Sequence, residues 1–170
     1  MILVDENDRE IGTEEKIAAH LGGGHLHRAV SVFVFNRRGE LLLQRRAASK
    51  YHFAGLWSNT CCSHPGPGET VLGVSERRLR EEMGISAPLR AVGTFIYRAT
   101  DVGTSLSEHE LVHVVVGRSD VDPTPDASEV GEWRWMDLGS LSRNLTKDPS
   151  AYTPWFPIGL SLLRRGGAAL

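Results

Sequence analysis

Asn59-Thr-Cys-Cys-Ser-His-Pro65, followed by Gly66-Pro-Gly-Glu-Thr70 and then by Val71 through Met83 and Gly84, is the stretch that decides the fold. Its first part is a loop that offers a thiol (Cys62) and an imidazole (His64) two residues apart. Its second part reads as a helix over 69–83. Gly84 stands just past the end, where a left-handed backbone is wanted. Leu72, Leu79 and Met83 share one face of that helix and form its core stripe. Arg78 and Glu82, four apart, share a different face. Arg77, Arg78, Arg80, Glu81 and Glu82 fall within six positions, a density of charge that few purely structural segments carry.

Upstream, Ile2–Val4 is a short apolar run, Asp5–Asp8 is turn chemistry, and Ile11-Gly12 closes a hairpin-like unit. Glu14–His20 reads as one or two turns of helix. Gly22-Gly23-Gly24 ends it and gives the chain freedom to move. Arg28–Phe35 is a buried strand rich in β-branched and aromatic residues, and Glu40–Arg45 returns from it. The irregular segment 47–55 carries Lys50, and Leu56–Thr60 reads as a short strand. Downstream, Leu89–Arg98, Glu108–Arg118 and Glu132–Met136 are strands, a helix starts at Asp137, and Ile158–Arg165 is a closing helix. Strands and helices are interspersed with hairpins, which predicts an α+β fold built on a mixed β-sheet sandwich flanked by helices. No repeat, low-complexity tract or linker interrupts the 170 residues, so one domain over 1–170 is expected.

Composition narrows the classes of function. At 41% hydrophobic and 24% charged the chain is an ordinary globular one. The formal net charge of -2 gives no basic field for nucleic acid. No apolar run approaches membrane-spanning length, and the N-terminus lacks the basic and apolar regions of a signal peptide. The two cysteines are adjacent. Their Cα atoms, about 3.8 Å apart across a trans peptide, are too close for a relaxed disulfide. Free thiols imply a reducing compartment, and a cytoplasmic enzyme is the expectation. No protein partner is implied.

Several residues carry chemistry. Glu108 and Glu110 are two apart on a predicted strand, so both carboxylates point to one face. Two outward glutamates serving solubility would give the same pattern. His20, His27 and His64 are too far apart for a finger-type motif, and a lone histidine is more often a surface residue than a ligand. Three imidazoles and two carboxylates would suit a five-ligand Mn²⁺, Mg²⁺ or expanded Zn²⁺ site, if they converge. Lys16, Arg46, Lys50 and Arg78 come from four separate elements. They read either as phosphate ligands or as a solvated face.

From Glu69 the helix resembles the Nudix box, Gly-x5-Glu-x7-Arg-Glu-U-x-Glu-Glu-x-Gly-U with U apolar. Glu69, Arg77, Leu79, Glu81, Glu82, Gly84 and Ile85 match. Ser63 replaces the leading glycine and Arg78 replaces the first helix glutamate. A cation in place of a carboxylate spoils a metal cluster for pyrophosphate hydrolysis and adds a phosphate ligand. It argues for binding a diphosphate without cutting it.

Asn59–Pro65 is similar to the active-site segment of the type 1 isopentenyl-diphosphate delta-isomerases, enzymes of Nudix fold. The likeness extends through Ile2–Asp8, His27–Ala29, Ser31–Phe33, Tyr97–Asp101, Glu108–Glu110 and Thr153–Phe156, over residues 2 to about 163. It implies that His20, His27, His64, Glu108 and Glu110 bind one divalent metal (Mn²⁺, Mg²⁺ or Zn²⁺). Glu82 would hold a Mg²⁺ that touches the substrate. Lys16, Arg46, Lys50 and Arg78 would grip the diphosphate of a small prenyl substrate. Cys62 and Glu110 would be the proton-transfer pair, Tyr97 would assist Glu110, and Trp155 would face the reacting carbons. The Gly22–Gly24 run, beside two of these ligands, suggests a segment that orders as metal and substrate bind. Ala54 stands where the family would carry proline. Tyr51-His52 places an aromatic pair beside the phosphate lysine, which would adjust fit. Rival readings are a Nudix pyrophosphohydrolase, an isomerase of a modified or longer prenyl diphosphate, and a catalytically silent metal-binding module.

Overall fold

The computed structural model describes residues 1–165; the last five positions of the expected 1–170 domain lie outside the described residues. The elements are β1 (Ile2–Val4), β2 (Glu10–Thr13), α1 (Lys16–His20), β3 (His27–Phe35), β4 (Leu41–Arg46), β5 (Trp57–Ser58), β6 (Cys61–Ser63), α2 (Val71–Met83), β7 (Leu89–Thr100), β8 (Ser107–Arg118), β9 (Val130–Met136), α3 (Leu138–Lys147) and α4 (Trp155–Arg165). A single 3-10 turn, Pro149–Ala151, precedes α4.

β3 is the hub of the mixed sheet. It runs parallel to β8 along its whole length, from His27 opposite Glu110 to Phe35 opposite Arg118. It pairs antiparallel with β6 over Val30–Val32, with β1 at His27 and with β4 at Phe35. β7 lies antiparallel to β8, and β9 and β5 lie antiparallel to β4.

The period of two along β3 builds two cores. Phe33 and Phe35 join Leu141, Phe156, Leu160 and Leu163 of α3 and α4. Val32 and Val34 point the other way, to Leu79 and Met83 of α2. The sheet is therefore covered by helices on both faces, which agrees with the α+β sandwich expected. Phe33 is fully buried, and truncating it to Ala removes about 3–5 kcal/mol. No described helix is long and apolar enough to cross a membrane.

Three local expectations change. Leu72 is 37% exposed and lies outside the core stripe. It occupies the first turn of α2, after the Thr70 cap whose Oγ1 accepts from the Gly73 amide, and Val71 packs against the core there instead. The strand expected over 56–60 is two short strands, β5 and β6. Between them the side chains of Asn59 and Thr60 take over the ladder where β3 and β4 part. Thr60 Oγ1 accepts from the Val34 amide (2.9 Å) and donates to the Leu42 carbonyl (2.7 Å). Asn59 Nδ2 donates to the carbonyls of Val32 (3.1 Å) and Cys61 (2.9 Å). The last helix starts at Trp155, three residues before Ile158. Pro157 falls in its first turn, where a missing N–H costs no helical bond.

Candidate active site

The parallel pairing of β3 with β8 sets His27 directly opposite Glu110, and Glu108 shares the face of Glu110 two residues earlier. α1 brings in His20 and the end of β6 brings in His64. One ligand atom from each of His20, His27, His64 and Glu108 lies within 4.8 Å of the others. His20 Nε2 is 3.0 Å from Glu108 Oε2, and His64 Nε2 is 2.7 Å from Glu110 Oε1. His27 Nε2 is 3.6 Å from Glu110 Oε1 and has no hydrogen-bond partner, although the ring is fully buried.

Backbone carbonyls orient two of these rings. His20 Nδ1 donates to the Lys16 carbonyl (2.5 Å) and His27 Nδ1 donates to the His25 carbonyl (2.8 Å). Each Nε2 then presents a lone pair to carboxylate oxygens unless a second proton or a cation lies between them. Two donors on one ion at octahedral distances sit about 3 Å apart, which is the separation of His20 from Glu108. The donor set therefore fits a divalent metal. Burial alone would raise both carboxyls. His20 and His52 on Glu108 hold it well below the usual carboxylate range. For Glu110, burial and the charge of Glu108 push upward, but His27 and His64 hold it low.

The loop between α1 and β3 is fitted closely to the sheet. A Cβ on Gly24 would lie 2.7 Å from the Ser107 carbonyl oxygen, in a backbone with φ of +80°. Arg98 Nε donates to the Gly23 carbonyl (2.7 Å) and His109 Nδ1 to that of Gly24 (3.2 Å). The glycines thus let the segment carrying His20 and His27 lie against β7 and β8.

A cavity of about 370 Å³ opens from this cluster. Lys16, Arg46, Lys50 and Arg78 all line it, as do Cys62, Glu82, Tyr97, Glu110 and Trp155. Glu129, from the turn before β9, also reaches it; the sequence carried no signal for this residue. It pairs with Lys50 and, at 3.1 Å, with Arg78. Arg78 also binds Glu82 (2.6 Å) and Glu81 (2.8 Å). Burial pushes the Glu82 carboxyl up against the pull of Arg78, and burial with the charge of Lys50 pushes Lys16 down. Arg46 is held by carbonyls: its Nε donates to Phe53 (3.1 Å) and its Nη2 to His52 (3.0 Å).

At the inner end, Cys62 Sγ donates to Asn59 Oδ1 (3.2 Å) and lies 3.5 Å from Ser31 Oγ. Burial pushes its thiol up to about 11. Tyr97 faces Glu110 across the β7–β8 ladder. Its buried hydroxyl has no partner, and burial raises it well above the usual phenol value. The Trp155 indole is fixed by Nε1–H donation to Ser58 Oγ (3.1 Å), which meets Thr153 Oγ1 at 2.9 Å. The Arg46 guanidinium lies 5.6 Å from the centre of that ring. Phe53 stands edge-on to it, in a left-handed backbone with φ of +48° that a hydrogen bond from its own amide N–H to Asp101 Oδ2 (2.8 Å) secures. All residues expected in the site line this cavity or the adjoining ligand cluster. His52, read from sequence only as a modifier of fit, makes direct contact with Glu108.

Comparison with known proteins agrees with this geometry. The NUDIX domain family matches residues 25–156. The isopentenyl-diphosphate Delta-isomerase of Halorhodospira halophila is 54% identical over 157 residues, spanning 92% of this chain and 90% of that relative. Isopentenyl-diphosphate Delta-isomerase 1 of Aromatoleum aromaticum is 54% identical over 155 residues, spanning 91% and 86%. Among solved structures, a protein of Deinococcus radiodurans superposes with a TM-score of 0.74 at 22% identity, covering 98% of both chains. A MutT protein of Methanosarcina mazei superposes with 0.63 at 21% identity, covering 83% of this chain and 92% of that one. The last two speak to the fold; the first two and the domain match place the chain in the NUDIX family and, within it, among the isopentenyl-diphosphate Delta-isomerases.

Proposed function

We propose that this chain, acting as a single domain, interconverts isopentenyl diphosphate and dimethylallyl diphosphate. The observation that carries the reading is one cavity with a basic mouth and, at its inner end, a thiol, a carboxylate with a phenol opposite, and an indole. Lys16, Arg46, Lys50 and Arg78 bind the diphosphate. Arg forks meet its oxygens two at a time, and the lysines add point charge.

The reaction moves one double bond. A proton is added to the terminal alkene carbon, leaving a tertiary cation. A proton then leaves the neighbouring methylene, and its C–H electrons form the internal double bond. One group must begin protonated and the other ionised. Cys62 and Glu110, which line one cavity, are the pair that would divide those two roles. Their strands flank β3 on either side, which suits proton delivery and removal at two faces of a flat substrate. Positioned groups of this kind contribute about 10²–10⁴-fold each. Tyr97, with its unpartnered hydroxyl, assists Glu110. Trp155 faces the cation, an interaction of about 2 kcal/mol when desolvated. Closure of the site keeps water from capturing the cation.

His20, His27, His64, Glu108 and Glu110 would hold one divalent metal (Mn²⁺, Mg²⁺ or Zn²⁺), and Glu82 would hold a Mg²⁺. Bound there, the ions supply positive charge that fixes the carboxylates and screens the phosphates. Two free thiols support a cytoplasmic location.

Arg78, engaged by three carboxylates where a hydrolase helix would carry a metal-binding glutamate, disfavours pyrophosphate cleavage. Proton NMR of isopentenyl diphosphate with the protein and Mg²⁺ in D₂O tests the proposal. Dimethylallyl diphosphate containing deuterium is the expected product. An unchanged C5 substrate that gives way to turnover of longer prenyl diphosphates would shift the substrate class. Release of phosphate would replace isomerisation by hydrolysis.

A further inference from the structure

We propose that His52 is a positioning residue of the metal centre: it hydrogen-bonds one oxygen of Glu108 and so aims the other into the ligand cluster. The inference rests on the reading of His20, His27, His64 and Glu108 as metal ligands.

His52 lies in the loop between β4 and β5 and is 5% exposed. Its Nε2 contacts Glu108 Oε1, while Glu108 Oε2 faces His20 Nε2 at 3.0 Å. The two oxygens of one carboxylate are thus divided between two histidines, and the histidines differ in kind. His20 and His27 have Nδ1 spoken for by a backbone carbonyl, so each offers a lone pair at Nε2, as a metal ligand must. No such carbonyl meets His52. Its Nδ1 is buried without a hydrogen-bond partner, which leaves the proton free to reside on Nε2. A carboxylate oxygen accepts a proton and repels a lone pair, so the contact with Oε1 requires Nε2–H. His52 therefore donates a hydrogen bond to the ligand, where His20 and His27 offer an electron pair to the ion.

The ring is also mounted rigidly. Its own carbonyl accepts from Arg46 Nη2 (3.0 Å), and the next carbonyl, of Phe53, accepts from Arg46 Nε (3.1 Å). Tyr51 and His20 flank the ring with centroids 4.3 and 5.5 Å away. A buried nitrogen without a partner is an exception that calls for an explanation, and the contact made by the other nitrogen of the ring supplies one. Partners of this type orient metal-binding carboxylates, and their loss weakens metal binding by about 10–100-fold.

The test is titration of the metal-free protein with Mn²⁺ alone, followed by calorimetry, for the unaltered chain, His52→Gln and His52→Leu. A glutamine amide N–H can replace Nε2–H, and leucine fills the space without a donor. The expected result is Mn²⁺ affinity lowered about 10–100-fold in the leucine variant and restored to within about threefold of the unaltered chain in the glutamine variant. Melting of the metal-free proteins separates this from packing. A leucine variant that melts earlier yet binds Mn²⁺ normally overturns the proposal. So does a glutamine variant as weak as the leucine one, because His52 would then be an electron-pair donor. If the unaltered chain binds no Mn²⁺, the metal reading fails and this inference with it; if it binds and the leucine variant matches it, this inference fails alone.

Discussion

The histidine and glutamate cluster at the start of β3 and β8 and the basic cluster near α2 open into one cavity, yet they are held by different means. In the first, His20 and His27 are fully buried, and main-chain carbonyls of Lys16 and His25 set their orientation. In the second, Lys50 and Arg78 are long side chains about one-fifth exposed, held by the carboxylates of Glu82 and Glu129. Backbone geometry thus sets His20, His27 and Glu110. Counter-charge fixes Lys50 and Arg78, while carbonyls hold Arg46, and an incoming diphosphate must compete with those carboxylates or share their partners.

Cys62 lies between the two and belongs to neither, so it tests the separation with the largest effect. Cys62→Ala should lower kcat by about 10²–10⁴-fold, while Mn²⁺ and pyrophosphate affinities stay unchanged. A fall in metal content would show that the regions are not independent. His27→Leu comes next. It should weaken Mn²⁺ binding by at least about 100-fold, beyond the loss of an orienting partner. Pyrophosphate binding to the metal-free protein should remain within about twofold, measured by calorimetry. The smallest effect probes the basic side. Glu129→Gln removes a carboxylate from both Lys50 and Arg78 and should tighten pyrophosphate binding about two- to fivefold, as expected for partly exposed pairs. The gain should fade in about 1 M salt, where the screening length falls to about 3 Å. A gain that survives that salt would mean the basic cluster is preorganised like its neighbour.

The same division decides what could be read in advance. The period of two put Glu108 and Glu110 on one face, and the apolar spacing placed Leu79 and Met83 in the core; both follow from local geometry. Convergence of His27 and His64 with Glu108 and Glu110 depends on β3 running parallel to β8 and on β6 pairing with β3. Spacing alone carries no trace of that pairing; the resemblance of the motifs supplied it. Glu129 escaped, and His52 was read only as adjusting fit, because each sits in an irregular segment placed by bonds outside any helix or strand. The Ala47 amide donates to the Glu129 carbonyl, and Arg46 binds the carbonyl of His52. Leu72 has the right helical phase, but it lies in the first turn of α2, outside the cluster around Leu79 and Met83. The strand expected over 56–60 failed because Asn59 and Thr60 bond through side chains.

That last arrangement has a consequence for how such a cavity can change over generations. The segment bearing Cys62 hangs from two side chains in the gap where β3 and β4 part, as well as from its short pairing with β3. A point substitution at Asn59 or Thr60 can shift the thiol without re-registering the long β3–β8 ladder. The thiol, and with it His64 at the end of the same segment, is thus set by side-chain bonds, whereas His27, Glu108 and Glu110 are set by the ladder itself.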